Sequence, residues 1–374
     1  MVVFITGASS GIGAATARAF ALGGARLILA ARRLERLRAL AAELAVDCHL
    51  VELDVRERAA VHRAVAAIPE PFAAIDVLVN NAGLSRGFEP LHEGSGDDWD
   101  EMIDTNVKGL LYVSRAVLPG MVSRGRGHVI NVGSVAGHET YPRGNVYCAS
   151  KAAVRALNKG MRLDLLGTGI RVSTVDPGLV PTEFSEVRFH GDRDRAAVVY
   201  QDTRPLSAYD VAEAIVWCAS RPGWVNVEEL LLMPTDQAAP AMIHRRPLSA
   251  TEAAATAPLA QRWLEAWNSR DLDRVLALYA SDARHTSARV RSLGGDQDTL
   301  AGREAMADYF RRALERYPGL RFEPLSVSTG PRTVVIEYRA HRVGKEEPTV
   351  EVLELDAGGL IAHSRVYHGS SFGR

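Results

Sequence analysis

The sequence has few cysteines, no long hydrophobic run and almost no net charge, and each shortage excludes a class of protein. Its three cysteines, Cys48, Cys148 and Cys218, are an odd number at wide spacings and form no CxxC or Cys/His pattern. We therefore expect reduced thiols in a cytoplasmic protein and no bound metal. No apolar run approaches the roughly 20 residues of a membrane span, and a strand beginning at Val2 leaves no room for a signal peptide. The net charge of -1 favours neither nucleic acid nor an anionic membrane as a partner.

A glycine-rich turn lies close to the start of the chain. Residues 2–13 read VVFITGASSGIG, a β-branched strand followed by glycines, and the pattern predicts a helix from Ala14 to Leu22. Gly7 and Gly11 let the backbone approach a pyrophosphate, Gly13 allows close packing, and the helix N-terminus favours an anion. The residues expected to bind a dinucleotide here are Gly7, Ser9, Ser10, Gly11, Ile12 and Gly13.

Two arginines follow the next predicted strand, Arg26 to Ala31. Arg32 and Arg33 lie about 20 residues after the glycines, where a dinucleotide fold carries an acid for a ribose hydroxyl or a base for a 2′-phosphate. Two guanidiniums and no acid favour NADP over NAD. The alternative is that the pair only ends the strand and begins the basic helix predicted from Leu34 to Leu44.

Strands and helices alternate regularly up to Met233, with helices expected over residues 98–119 and from Ala208 to Ala219. This alternation predicts an α/β fold: a doubly wound parallel sheet with helices on both faces. In such a fold the ligand binds beyond the carboxyl ends of the strands. The turns at these ends contain Asp54-Val55, Asn80-Asn81-Ala82-Gly83 and Pro177-Gly178.

A serine, a tyrosine and a lysine form the candidate reaction centre. Ser134 follows a strand, and Tyr147 and Lys151, four residues apart, project from one face of a helix. A free phenol has a pKa of about 10 and is a poor base at neutral pH. We expect the ammonium of Lys151, with a positive nicotinamide ring, to lower that pKa. The alternative is a surface tyrosine and lysine on an ordinary helix.

Residues 1–238 resemble the short-chain dehydrogenase/reductases, on the segments TGASSGIG and NNAG, on Ser134, Tyr147 and Lys151, on Asn106, and on Pro177-Gly178. The resemblance implies a Rossmann fold, Tyr147 as general acid/base, Ser134 orienting the substrate oxygen, and Lys151 binding the nicotinamide ribose. Asn106 would support a proton-relay water, Val180 and Thr182 would join the cofactor site, and the protein would form a homo-oligomer, a dimer or a tetramer.

A finer resemblance, to the NADP-dependent 3-hydroxy acid dehydrogenase branch, rests on AARR, IDTNVKGLLY, GNVYCASKA, EFSEVRFHGD and VNVEELLLMPTDQ. It implies small 3-hydroxy acids, such as serine, as substrates. Residues 179–204 are interpreted as a lid loop whose arginines could bind a carboxylate. Arg188 is the preferred substrate-binding residue; the alternative for any lid arginine is solvent or a surface acid.

The pattern changes after Met233-Pro234. Residues 239–257 are predicted to be a linker, and residues 258–374 a smaller α+β domain. Its helices are expected from Leu259 to Asn268, from Leu272 to Tyr279 and from Arg303 to Tyr317, followed by hairpin-connected strands. WLEAWNSRDLDRVLALYASDA and GREAMADYFRRAL resemble the cone-shaped SnoaL and ketosteroid isomerase superfamily. Glu351 could be a buried acid, but a solvent-facing or arginine-paired carboxylate is the favoured interpretation. We assign this domain binding or assembly and no chemistry.

Three hypotheses remain open from the sequence. The first is an NADP-dependent oxidoreductase of small 3-hydroxy acids. The second is a reductase of a bulkier ketone whose product the cone domain binds or processes. The third is a non-catalytic NADP sensor, which the intact set of Ser134, Tyr147, Lys151 and Asn106 disfavours because a sensor needs no proton relay.

Overall fold

The computed structural model describes residues 1–245, 250–292, 297–329, 332–342 and 345–368. Its contacts divide the chain into two compact units, Met1–Arg245 and Arg246–Arg374. In the described residues no helix is both long and apolar enough to cross a bilayer.

The first unit is built on a seven-stranded sheet in the order β3-β2-β1-β4-β5-β6-β7, parallel throughout. The predicted doubly wound fold is confirmed. Each strand is short, and those in the middle are apolar on both faces because helices cover both sides. The strands are β1 (Val2–Thr6), β2 (Arg26–Ala31), β3 (Cys48–Glu52), β4 (Val77–Asn80), β5 (Gly127–Val132), β6 (Ile170–Pro177) and β7 (Glu229–Leu232).

Helices alternate with these strands. On one face α1 and α9 pack on the sheet, and on the other α3 and α5 do. Helix α9 begins with a capping box between Ser207 and Asp210, an arrangement that stabilises a helix start by about 1 kcal/mol. The helices are α1 (Gly11–Leu22), α2 (Leu34–Glu43), α3 (Arg58–Ala66), α4 (Gly96–Ile103), α5 (Leu110–Arg124), α6 (Asn145–Asp164), α7 (Phe184–Arg188), α8 (Arg193–Tyr200) and α9 (Ala208–Ala219).

Two local features differ from the sequence expectations. The lid, residues 179–204, is not a plain loop, because it contains the short helices α7 and α8. The long helix expected over residues 98–119 is interrupted between α4 and α5 by a π-helical segment, Asp104–Gly109. A π-helical turn re-aims the side chains it carries and is frequent at functional sites. Asn106 lies in this turn.

The predicted linker, residues 239–257, is not irregular throughout. It overlaps a small antiparallel hairpin of β8 (Gln237–Ala239) and β9 (Met242–Ile243). Helix α10 (Ala250–Ser269) begins inside it, nine residues before the start expected at Leu259. Residues 246–249 of this stretch lie outside the described residues.

The second unit contains a six-stranded sheet in the order β11-β10-β15-β14-β13-β12, in which only the β10–β15 pair is parallel. The expected α+β order is confirmed, although Tyr279 begins a strand instead of ending a helix. The elements after α10 are α11 (Leu272–Leu276), β10 (Tyr279–Ser287), α12 (Arg289–Ser292), β11 (Thr299–Ala301), α13 (Arg303–Arg316), β12 (Arg321–Thr329), β13 (Thr333–Arg342), β14 (Lys345–Leu355) and β15 (Ile361–His368).

An aromatic cluster forms the core of the second unit. Trp263 and Trp267 of α10 pack against Phe310 of α13 and against Phe322 and Tyr338 of the sheet, with neighbouring ring centroids 4.4–5.9 Å apart. Aromatic contacts of this kind stabilise the core beyond the contribution of burying the large apolar side chains. The interior between helices and sheet is thus occupied by packed rings.

Glu351 lies in this interior, so the favoured interpretation of a solvent-facing or arginine-paired carboxylate was wrong. It is 3% exposed on the central strand β14, and the hydroxyl of Tyr338 donates to its Oε2 at 3.2 Å. Burial raises the pKa of Glu351 to about 8, although hydrogen bonds from Tyr338 and Ser364 oppose the rise. The carboxyl is therefore held in its neutral form at pH 7.

Candidate active site

A cleft of about 870 Å³ opens in the first unit at the carboxyl ends of the strands. It is lined by the glycine turn, by the turns after β2, β3, β4, β5 and β6, by the start of α6 and by the lid. Of the residues proposed for the site, those that line it are Gly7, Ser9, Ser10, Gly11, Ile12, Arg32, Arg33, Asp54, Val55, Asn81, Ala82, Gly83, Ser134, Tyr147, Lys151, Pro177, Gly178, Val180, Thr182 and Arg188.

Three of the proposed residues lie behind the cleft and do not line it. The Asn80 amide donates to Ser114 and Asn131 at 2.9 Å each and joins neighbouring elements. Gly13 lies against the turn, since a Cβ there would be 2.4 Å from the carbonyl oxygen of Gly7. Asn80 and Gly13 were predicted to contact the cofactor. In the structure they shape the site from behind.

Asn106 is the third residue behind the cleft. Its Oδ1 accepts the N–H of Leu84 at 2.8 Å, and its amide donates to the Leu84 carbonyl and the Ser150 hydroxyl. These bonds fasten the π-helical turn to the strand-end loop after β4 and to α6. Asn106 therefore fixes the backbone of the site from behind.

The glycine turn fits a dinucleotide pyrophosphate. Gly7 has a φ of +66°, and a Cβ there would lie 2.9 Å from Ala82. Larger residues are excluded by both the conformation and the space. Gly11, with a φ of +54°, begins α1, whose N-terminal N–H groups favour an anion. The turn offers bare backbone where phosphates would approach.

An arginine, Arg33, lies beside the serine hydroxyls of this turn. Arg33 donates to Ser9 Oγ at 3.1 Å and to Ser10 Oγ at 2.8 Å. Its Nη1 lies 2.8 Å from a carboxylate oxygen of Glu183 in the lid, and Arg36 pairs with the same carboxylate. The Arg33 guanidinium and the two hydroxyls at the cleft edge fit a phosphate group, and here the Glu183 carboxylate contacts Arg33 and Arg36. Sequence reasoning missed Glu183, because only the fold brings it beside Arg33.

The serine, tyrosine and lysine meet inside the cleft. Tyr147 and Lys151 are both buried on α6, and the Ser134 hydroxyl lies beside the Tyr147 phenol in the cleft. Lys151 Nζ donates to the Val132 carbonyl at 2.9 Å. Burial lowers the pKa of Lys151 to about 8, opposed by the charge of Asp176.

In the chain alone Lys151 is not among the groups that shift the pKa of Tyr147. Burial raises that pKa, and the Tyr141 phenol adds to the rise. The Ser134 hydroxyl and the charge of Arg188 lower it in part. The phenol is thus neutral at pH 7, the form that donates a proton. The opposing cation is Arg188, which the sequence could not place.

Arg188 is a buried cation within an aromatic enclosure. It is 8% exposed, its Nε donates to Ser85 Oγ at 2.9 Å, and an Nη donates to the Tyr141 hydroxyl at 2.6 Å. Its guanidinium carbon lies 5.3 Å from the ring centroids of both Tyr147 and Phe184. Within the described parts of the chain, no carboxylate lies within 4.0 Å of this guanidinium. The other predicted lid arginines differ: Arg193 pairs with Glu186, and Arg195 stacks on Phe189.

A network of charges lies beneath Gly133. His138 Nε2 lies 2.6 Å from Asp176 Oδ2, and Glu229 pairs with Arg155 at 2.7 Å. His138, Asp176 and Glu229 offer oxygen and nitrogen atoms within 4.8 Å of one another. Because Arg155 already neutralises Glu229, an ion-pair network describes this cluster better than a cation site.

Comparisons with known proteins identify the family. The model of the short chain dehydrogenase family matches residues 1–192, and that of the SnoaL-like domain matches residues 260–364. The chain belongs to the short-chain dehydrogenases. The resemblances to the short-chain dehydrogenases and to the SnoaL superfamily are therefore confirmed, and the first unit is an oxidoreductase of the short-chain dehydrogenase family.

Individual members of the family show which kinds of dehydrogenase this chain is similar to. The NADP-dependent 3-hydroxy acid dehydrogenase of Salmonella typhi is 49% identical over 247 residues, 66% of this chain and 100% of that protein. Sulfoacetaldehyde reductase 2 of Chromohalobacter salexigens is 49% identical over 63% of this chain and 95% of its own. The closed form of serine dehydrogenase complexed with NADP+ superposes with a TM-score of 0.63 at 48% identity, covering 66% of this chain and all of that one.

Proposed function

We propose that this protein transfers hydride between NADP and the hydroxyl-bearing carbon of a small 3-hydroxy acid, with Tyr147 as the general acid/base. The single observation that carries the substrate class is the buried guanidinium of Arg188, 5.3 Å from the ring of Tyr147. The named relatives are similar proteins that act on 3-hydroxy acids, on serine or on sulfoacetaldehyde. These substrates all join an anionic group to a reacting carbon a short distance away.

NADP supplies or accepts the hydride when it is bound. The chain's own residues would hold it: the glycine turn would bind the pyrophosphate, and Arg33 with Ser9 and Ser10 would bind the 2′-phosphate. Lys151, charged below its pKa of about 8, would bind the nicotinamide ribose.

The proton moves at the phenol oxygen of Tyr147. In the direction of reduction the neutral phenol gives its proton to the forming alkoxide, and in oxidation the phenolate takes it back. The Ser134 hydroxyl, which lies beside that phenol in the cleft, can hold the substrate oxygen. Arg188 favours the phenolate electrostatically, and proton transfer by such a group typically accounts for about 10² to 10⁴ in rate.

Arg188 also orients the substrate. A guanidinium cannot lose its proton at neutral pH, so burying it without a carboxylate partner is costly until an anion arrives. The Ser85 and Tyr141 bonds fix its plane and leave donors for a bidentate contact. The substrate carboxylate would thereby be held a fixed distance from Tyr147.

The test is turnover with NADP on paired substrates, 3-hydroxy acids and the corresponding alcohols that lack the carboxylate. The protein should strongly prefer the acids, and Tyr147→Phe should lose activity by about 10³-fold while still binding NADPH. Arg188→Gln should raise KM for the acids by roughly 30-fold or more, and should abolish the preference. Arg195→Gln, altering a cleft arginine that stacks on Phe189, is the matched control.

Two results would contradict the proposal. An active Tyr147→Phe variant would remove the proton step. Undiminished discrimination between acid and alcohol in Arg188→Gln would remove the carboxylate contact and favour a bulkier, uncharged ketone.

We also propose that the protein is a cytoplasmic homo-oligomer made of a reductase domain over residues 1–238 and a second domain over 258–374 that serves binding or assembly. The three cysteines are free, as expected in a reducing compartment. Large apolar side chains are exposed in the first unit, with Trp224 88% and Leu166 85% exposed. Exposed groups of this kind are typical of subunit contacts. The molar mass of the full-length protein in solution tests whether it is a homo-oligomer.

A further inference from the structure

The end of the first unit forms one wall of the cleft. Pro240, Ala241, Ile243 and Arg245, from the hairpin of β8 and β9 and the residues after it, line the cavity together with Gln237. Gln237 is buried, and its Oε1 accepts the N–H of Leu179 at 2.8 Å. The hairpin is thus fastened to the residue at which the lid begins.

Arg245 reaches from this hairpin to the end of α8. Its Nη1 donates to the carbonyl of Gln201 at 2.5 Å, and its Nη2 donates to the carbonyl of Val199 at 3.3 Å. The last carbonyls of a helix have no partners within the helix, and the helix dipole makes that end negative. A guanidinium placed there satisfies the carbonyls and favours the helical form of α8.

Helix α8 is in turn tied to α7. The Tyr200 hydroxyl of α8 lies 2.6 Å from Ser185 Oγ of α7, and it donates to the carbonyl of Val180 at 3.0 Å. Helix α7 carries Phe184, whose ring lies 5.4 Å from the ring of Tyr147, and ends in Arg188. A continuous series of polar contacts therefore leads from Arg245 to the groups beside the reacting phenol.

The short helices need this support. Helices of five and eight residues are too short to be stable alone, because nucleation costs more than so few hydrogen bonds return. Their geometry depends on tertiary contacts, and Arg245 supplies one at the end of α8. Loosening that end weakens the contact from Tyr200 to Ser185 of α7, the helix that carries Arg188.

We propose that Arg245 is a positioning residue for the substrate: it holds α8, and through α8 holds α7, in the arrangement that presents Arg188 to the substrate anion. This inference rests on the proposed function for its kinetic readout. Cofactor affinity is expected to change little, because Glu183, the lid residue beside the proposed 2′-phosphate site, is held by Arg33 and Arg36.

The test compares Arg245→Gln with Arg221→Gln in the full-length protein. Arg221 is the matched control, because its Nε donates to the carbonyl of Trp217 at 3.0 Å near the end of α9 and it does not line the cleft. Amide hydrogen exchange of residues 193–201 should accelerate about threefold or more in Arg245→Gln. KM for the acid should rise about three- to tenfold, with kcat and the Kd of NADPH within about twofold. Arg221→Gln should change none of these.

The exchange measurement separates failure of this inference from failure of the proposed function. Unchanged exchange in α8, or a loss confined to kcat at constant KM, would show that Arg245 does not position the lid for substrate. If the unaltered protein oxidises no hydroxy acid, the proposed function fails, while faster exchange in Arg245→Gln would still show that Arg245 holds α8.

Discussion

Replacing Glu351 by glutamine should stabilise the second unit, and the effect should grow with pH. The carboxyl is buried in the middle of the six-stranded sheet, and burial raises its pKa from 4.5 to about 8. In the unfolded chain it ionises near 4.5. A carboxyl whose folded pKa is raised contributes stability that is fully present below the unfolded pKa and is lost as pH rises toward the folded pKa. The window here is pH 4.5 to 8.

The magnitude follows from the two pKa values. Each pKa unit between folded and unfolded states corresponds to about 1.4 kcal/mol. The unaltered protein should therefore lose up to roughly 5 kcal/mol of unfolding free energy across the window, and roughly 3 kcal/mol by pH 7. Glutamine has nearly the shape of the neutral acid, can accept the hydrogen bond from Tyr338 and does not ionise. The two proteins should be similarly stable near pH 4.5, and the variant should be more stable at pH 7 and above.

Native-state hydrogen exchange of β13 and β14, corrected for the intrinsic pH dependence of amide exchange, measures this in the full-length protein. Glu346→Gln is the control, since Glu346 lies on the same strand and is largely exposed. The reasoning is refuted if protection in the unaltered protein does not fall between pH 5 and 8. It is equally refuted if Glu351→Gln shows the same fall.

Two further predictions concern the cleft. Arg33→Ala should weaken NADPH binding by about 10- to 100-fold and NADH binding far less, as measured by fluorescence titration; equal weakening of both cofactors would show that Arg33 does not bind the 2′-phosphate. Asp176→Asn should move the alkaline loss of kcat/KM to lower pH, because the Asp176 charge opposes the burial that lowers the pKa of Lys151 to about 8. His138 and Glu229, which face Asp176, are unchanged in this variant. If the alkaline loss of kcat/KM stays at the same pH, the Asp176 charge does not support the pKa of Lys151.

The parts of the fold that local sequence determines were predictable. Strand β2 and helix α9 begin and end at the predicted residues, because an apolar run defines the strand and a Ser-x-x-Asp capping box begins the helix. The lid helices were not predictable in the same way. Their residues are rich in charge and lack a helical apolar period, and contacts from Tyr200 and Arg245 support them instead.

The same distinction applies to the candidate site. Motif spacing predicted that the glycine turn, Ser134, Tyr147 and Lys151 come together, since strand ends meet at one edge of a parallel sheet. It could not tell that Asn80 and Asn106 do not line the cleft. It also could not predict the surroundings of Arg188, because Ser85 and Tyr141 are 103 and 47 residues away along the chain.

Each unit buries an ionisable side chain, Arg188 in the first unit and Glu351 in the second, and the two differ in how their charge is accommodated. The difference indicates which of them has a place for a ligand. Glu351 stays protonated up to about pH 8 and accepts a hydrogen bond from Tyr338. A neutral, hydrogen-bonded carboxyl needs no ligand to balance a charge. Arg188 has no neutral form to adopt at physiological pH. Its charge is balanced by no carboxylate among the residues described, and it faces an open cleft beside a phenol. Under the proposed function an anion from outside completes that site, whereas Glu351 already has a hydrogen-bond partner in Tyr338.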